Sequence, residues 1–167
     1  MGKIVTNFLI ITLLGFCIMS CQQNDAAKKK TNAAEIVLKD YGAEPTVLDI
    51  HAYSESNDNF RIALWTGDNL QVTLMSIPVG GEIGLESHNS DQFLRIEDGE
   101  ARVLIGDDKE SLTFDEVVDA DFAIFVPTGK WHNVINIGEK PLKLYSIYAP
   151  SEHPHSTLHQ TPEEGEH

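Results

Sequence analysis

The stretch "GGEIGLESHNSDQFLRIEDGE", residues 80–100, decides how this chain folds. Glu86 and His88 stand two positions apart, so on an extended strand their side chains leave from one face. If Asn89 to Asp91 make a tight reversal, Gln92 returns to the same cavity from the following strand. The glycines frame this arrangement. Gly80-Gly81 lets the backbone bend into a barrel, and Asp98-Gly99 suits a hairpin that needs positive φ.

Outward from this stretch the same texture continues. Phe60, Ile62 and Leu64 alternate before "TGDN", Leu70, Val72 and Leu74 before Pro78, and Ala101, Val103 and Ile105 before "GDD". "LTF", "AIFVP", "HNVINI" and "LKLYSIY" follow, separated by breaks such as "GEKP". Short alternating runs cut by turn residues predict an antiparallel sandwich or barrel, and no long amphipathic helix is expected between residues 46 and 150. The fold class is all-β. In "FVPTGKWHNVIN", residues 125–136, His132 follows a Pro-x-Gly turn at the start of a strand, so donors from two segments can meet inside one barrel.

Two motifs carry a family resemblance. Gly80 to Gly99 resembles the first cupin motif, with Gly80, Glu86, His88, Gln92 and Gly99 in register, and Asp121 to Asn136 resembles the second through Pro127, Gly129, His132 and Asn136. Asp121 stands where the second motif has glycine. The resemblance implies a double-stranded β-helix, a small jelly-roll barrel with two sheets and an open mouth. It also implies that Glu86, His88, Gln92 and His132 are metal ligands, with Glu86 in place of the family's first histidine and Gln92 in place of its glutamate. Singly, each residue has a plainer role: a solvent-facing strand residue, a hydrogen-bonded core histidine, a turn cap. Their joint occurrence in two motifs favours the metal site.

Two oxygen and two nitrogen donors without a thiolate suit Fe(II), Mn(II), Ni(II) or Zn(II) and disfavour Cu(I). The ligand expected in the mouth is a small molecule. The first reading is an isomerase-like enzyme acting on a small polar metabolite such as a sugar or sugar acid; the others are an iron dioxygenase and a non-catalytic binding module. No serine-hydrolase elbow, phosphate loop or dinucleotide fingerprint occurs in the chain. Trp131 reads as strand packing rather than a substrate platform, while His51 and Tyr53 share a face and are candidates to line the mouth.

The chain has 167 residues, enough for one domain, and a formal net charge of −14, which argues against nucleic acid as a partner. Residues 1–20 read as a secretory signal, with Lys3 before an apolar run from Phe8 to Ile18. "IMSC" resembles the bacterial lipobox, which would make Cys21 the lipidated first residue of a protein anchored in the bacterial cell envelope. Cys17 would leave with the signal, so no intramolecular disulfide is expected. A homodimer is left open. Residues 21–45 read as a tether and short N-terminal segment with a helix over 33–41, residues 46–150 as the cupin domain, and residues 151–167 as a polar tail. The tail, with His153, His155, His159 and His167, reads by composition as a solvated terminus. "YAPSEHPHSTLH" nevertheless resembles the sequence closing this cupin group, which places its histidines near the mouth.

Overall fold

The computed structural model describes Gly2 and residues 35–165; the rest of the signal-like segment and Cys21 lie outside the described residues. A short helix α1, Ile50–Ser56, precedes the strands β1 (Arg61–Thr66), β2 (Gln71–Ile77), β3 (Asp91–Asp98), β4 (Glu100–Gly106) and β5 (Phe114–Asp119). The strands β6 (Ala123–Val126), β7 (Trp131–Asn136), β8 (Leu142–Ala149) and β9 (Leu158–His159) follow, and a 3-10 turn spans Pro162–Gly165. Six strands form one sheet in the order β6-β3-β8-β2-β1-β9, and three form the other in the order β5-β4-β7. Every pairing within these sheets is antiparallel. This is the expected all-β double-stranded β-helix.

Backbone bonds widen the smaller sheet beyond β7. Ile83 N donates to Val134 O at 3.0 Å and Asn136 N to Gly81 O at 2.8 Å, so the segment after Gly81 runs antiparallel beside β7. Its entry requires Gly80, at φ +71°, and Gly81, where a Cβ would sit 3.1 Å from Pro78 O. Asn136 clamps the turn by donating to Ile77 O and Lys140 O, both at 2.9 Å. At the other hairpin Gly99 has φ +103°.

Between the sheets lies the main core, in which Leu94, Ile96, Val134, Leu142 and Leu144 are fully buried. Each such side chain contributes roughly 1.5–3 kcal/mol of transfer free energy. At β1 and β2 the larger sheet is buried on both faces, which changes the meaning of their alternation. Ile62, Leu64, Val72 and Leu74 point away from the barrel interior into a second apolar layer with Leu38, Tyr41, Leu48, Ile50 and Tyr53. Arg61 and Ala63 on β1, and Gln71, Thr73, Met75 and Ile77 on β2, point inward.

That second layer corrects the expectation of a helix over residues 33–41: residues 35–41 form no helix, and 33 and 34 lie outside the described residues. Tertiary contacts override local propensity there. Tyr41 N donates to Leu64 O at 2.8 Å, and the Asp40 carboxylate accepts from Thr66 Oγ1 at 2.6 Å. The helix forms instead at Ile50–Ser56, where Asp49 caps the first turn by accepting from Ala52 N. His51 and Tyr53 belong to α1 and do not line the mouth: His51 Nδ1 lies 2.7 Å from Glu97 Oε2, and the Tyr53 hydroxyl is hydrogen-bonded to that of Tyr41 at 2.9 Å.

The C-terminal segment is likewise no frayed end through residue 165. β9 pairs with β1, Ala63 N donates to Thr157 O at 2.8 Å, and Gln71 grips the His153 backbone with both ends of its amide, each at 2.9 Å.

Candidate metal centre

Glu86 and His132 face one another across the antiparallel pair, exchanging backbone hydrogen bonds of 3.0 and 2.9 Å. Directly opposed residues put their side chains on one face, here the barrel interior. Gly84, at φ +91°, bends the chain ahead of Glu86, and Gly129, at φ +78°, turns it ahead of His132. The two segments are also joined where Gly129 N donates to His88 O at 2.8 Å. Gln92 arrives from β3 on the opposite sheet, 4% exposed.

One ligand atom from each of Glu86, His88 and His132 lies within 4.8 Å of the others. Glu86 Oε1 is 3.0 Å from His88 Nε2 and 3.5 Å from His132 Nε2. Neither contact has hydrogen-bond geometry: among the described residues, these three atoms and Gln92 Oε1 are buried without a hydrogen-bond partner. Three converging lone-pair atoms and the unmatched Gln92 Oε1 on the facing sheet fit a cation, since leaving buried polar atoms unmatched otherwise costs about 1–3 kcal/mol each.

The outer groups fix those atoms. Gln92 donates through Nε2 to Ser146 Oγ at 3.0 Å, which leaves its Oε1 as the available acceptor. His132 Nδ1 lies 3.2 Å from Lys130 O, so its Nδ1–H faces the carbonyl and Nε2 carries the lone pair. His88 Nδ1 lies 3.2 Å from Glu152 Oε1, and the other Glu152 oxygen accepts from Ser90 Oγ at 2.9 Å. These are the outer-shell partners that orient metal-binding imidazoles.

Electrostatics favour a charged Glu86. Burial opposes the charge, but the contacts with His132 and His88 and the positive Arg61 outweigh it and draw the carboxyl down to about 2. Burial and the Arg61 charge drive His153 down to about 4. Burial, with the nearby Glu86 charge, pushes the Tyr148 hydroxyl up.

The cupin domain family matches the chain over residues 73–148. The chain is a cupin. This cupin is 56% identical over 127 residues to the protein YrkC of Bacillus subtilis (strain 168), a match covering 75% of this chain and 68% of that one. It is 34% identical over 110 residues to protein L612 of Acanthamoeba polyphaga mimivirus, covering 65% and 67% of the two chains. The crystal structure of BH2720 from Bacillus halodurans is 54% identical, with a TM-score of 0.75 over 75% of this cupin and 96% of that chain.

The sequence motifs name Glu86, His88, Gln92 and His132, and the structure brings all four to the barrel interior. Trp131, half-buried, lies on β7 beside them. His153 reaches the same end of the barrel, its ring 5.1 Å from Tyr148 and 6.5 Å from His88 between centroids. His155 does not: it lies beside Ser156 and Asp40. Arg61, Ser146, Tyr148 and Glu152 are the participants that motif reading misses. Ser146 and Tyr148 left a signal, being polar groups that continue the face begun by Leu142 and Leu144; Glu152 left none, because it sits in a polar segment.

Proposed function

We propose that this cupin is a divalent-metal protein of the cell envelope, in which Glu86, His88, Gln92 and His132 hold the ion and a small polar metabolite is transformed beside it. The observation that carries this reading is the set of four buried lone-pair atoms without partners, two oxygens and two nitrogens. A divalent ion bound there polarises a substrate carbonyl or acidifies bound water. The protein's own contribution is orientation: Glu152, Lys130 O and Ser146 set the two imidazoles and the amide. The donor set suits Fe(II), Mn(II), Ni(II) or Zn(II).

Metal analysis of the purified protein tests the site. His88→Ala and His132→Ala should each lose most of the metal, and a full load in both would refute the assignment. Oxygen uptake by iron-loaded protein given candidate diols would favour the dioxygenase reading over isomerisation of a sugar or sugar acid. The envelope role rests on Lys3, the apolar run and "IMSC", which ends on Cys21. Cys21→Ser should abolish incorporation of radiolabelled palmitate and release the protein or leave its precursor uncleaved. Unchanged membrane retention would remove that part of the proposal.

A further inference from the structure

The interior beside the four donors carries a buried cation that the metal reading does not use. Arg61 projects inward from β1 and is 2% exposed. Among the described residues its nearest carboxylate contact, Nη2 to Glu86 Oε2, is 3.7 Å, too long for a hydrogen bond. Its Nε has no hydrogen-bond partner among the described residues, and the same holds for Thr73 Oγ1 and the Tyr148 hydroxyl. Register puts these groups on one surface. Ala63, Thr73 and Ser146 lie opposite one another across β1, β2 and β8, all fully buried. Gln71, Tyr148 and Gln92 form the adjacent row toward the mouth. A guanidinium offers five donors in a fork shaped for a carboxylate, and leaving its buried Nε unmatched is costly unless a ligand completes it.

Charge points the same way. A divalent ion held by Glu86 and three neutral donors keeps one positive charge, and Arg61 adds another. Glu152, bound to the back of His88, offsets one of the two. One positive charge remains in a low-dielectric interior, where it strongly favours an anion. With Glu86 in place, a glutamate at position 92 would cancel that charge; glutamine leaves it for a ligand.

We propose that this interior takes a small monocarboxylate, its carboxylate held by Arg61 and a neighbouring oxygen directed to the ion, so that the substrate is an acid rather than a neutral sugar. The inference rests on the metal reading above. Thr73 Oγ1 and the Tyr148 hydroxyl are the neutral groups available to hydroxyls on the same molecule.

Glycolate and its uncharged counterpart glycolamide serve as probes. The full chain is loaded with Co(II), cobalt content is measured, and each probe is titrated against the visible absorption of the bound ion. Wild type should bind glycolate at least tenfold more tightly than glycolamide. Arg61→Met should weaken glycolate at least tenfold and leave glycolamide unchanged. Gln92→Glu should keep its cobalt yet also weaken glycolate. Should Arg61→Met fail to fold, Arg61→Lys and Gln92→Glu decide, because Lys keeps the charge without the fork and should weaken glycolate by a smaller factor. Stoichiometric cobalt with equal affinity for the two probes, or with wild-type glycolate binding in the folded Arg61 variants and in Gln92→Glu, overturns the inference and leaves the metal site standing. Failure of wild type to take up cobalt overturns both.

Discussion

Glu152→Ala tests whether the C-terminal segment is part of the metal centre. The change removes the carboxylate 3.2 Å from His88 Nδ1 and strips Ser90 Oγ of its acceptor. Loss of an outer-shell partner to a metal-binding imidazole typically costs 10–100-fold in affinity, or about 1.4–2.7 kcal/mol. The Glu152 side chain is 28% exposed, so water replaces part of what is lost, and a decrease of roughly 10–30-fold is expected for alanine. Glutamine keeps an acceptor oxygen without the charge and should lose less than tenfold, on the order of 1 kcal/mol. The segment stays docked in either variant, because Gln71 holds the His153 backbone from both sides. The assay is competition for Zn(II) against a fluorescent chelator, with the melting temperature of metal-free protein as a control for folding. His132→Ala, which deletes a donor, should fall well below both variants. Wild-type affinity in Glu152→Ala would refute the claim that this carboxylate orients His88.

Asp40 joins three parts of the chain through Thr66 Oγ1, Ser156 N and Gly42 N, at 2.6, 2.9 and 2.8 Å. Asp40→Ala should therefore cost about 2–3 kcal/mol in urea unfolding, and no loss would mean that the clamp is idle. Burial opposes the Asp40 charge, but the hydrogen bonds from Thr66, Ser156 and Gly42 hold its pKa below the ordinary value of 3.8. Its contribution is thus complete above the unfolded value and lost as pH falls through the folded one. Wild type should lose stability more steeply than the alanine variant below about pH 4, and equal slopes there would refute the assignment. Asp121 has φ +74°, a conformation costing a non-glycine residue about 1 kcal/mol, while its exposed pair with Arg95 is worth little. Asp121→Gly should leave stability unchanged or raise it by up to about 1 kcal/mol by thermal melting; a clear loss would show that the ion pair dominates. Truncation after His159 removes the bond from Phe60 N to Gln160 O, 3.3 Å long, and should lower the melting temperature by about 2–4 °C with metal affinity intact. An unchanged melting temperature would show that residues 160–165 contribute nothing to the fold.

The parts of this site that could be read from sequence are those whose position follows from strand periodicity and turn chemistry. Glu86 and His88 share a face because they are two apart on an extended chain, and His132 meets them because Gly129 turns the chain where a strand begins. The glycine motif position occupied by Asp121 was legible in the same way, since a positive φ is a backbone demand that survives the change of residue. The helix expected before Gly42 failed for the opposite reason: Tyr41 and Asp40 are held extended by Leu64 O and Thr66, contacts that sequence distance conceals. Arg61 was hidden by the alternation itself. With Ile62 and Leu64 apolar, β1 reads as a strand whose other face meets solvent, but the segment of Leu38, Tyr41 and Leu48 covers the Ile62 face and turns Arg61 inward. Because both faces of β1 are buried, its apolar alternation does not show which face is inward, and settling that requires knowing what packs behind it. The pairing of Glu86 with Gln92 then acquires a physical reason that neither residue supplies alone. Exchanging the family's histidine and glutamate for glutamate and glutamine keeps the same charge on the ligand set. It also places the carboxylate on the segment within reach of Arg61, and the neutral amide on the sheet beside Ser146 and Tyr148.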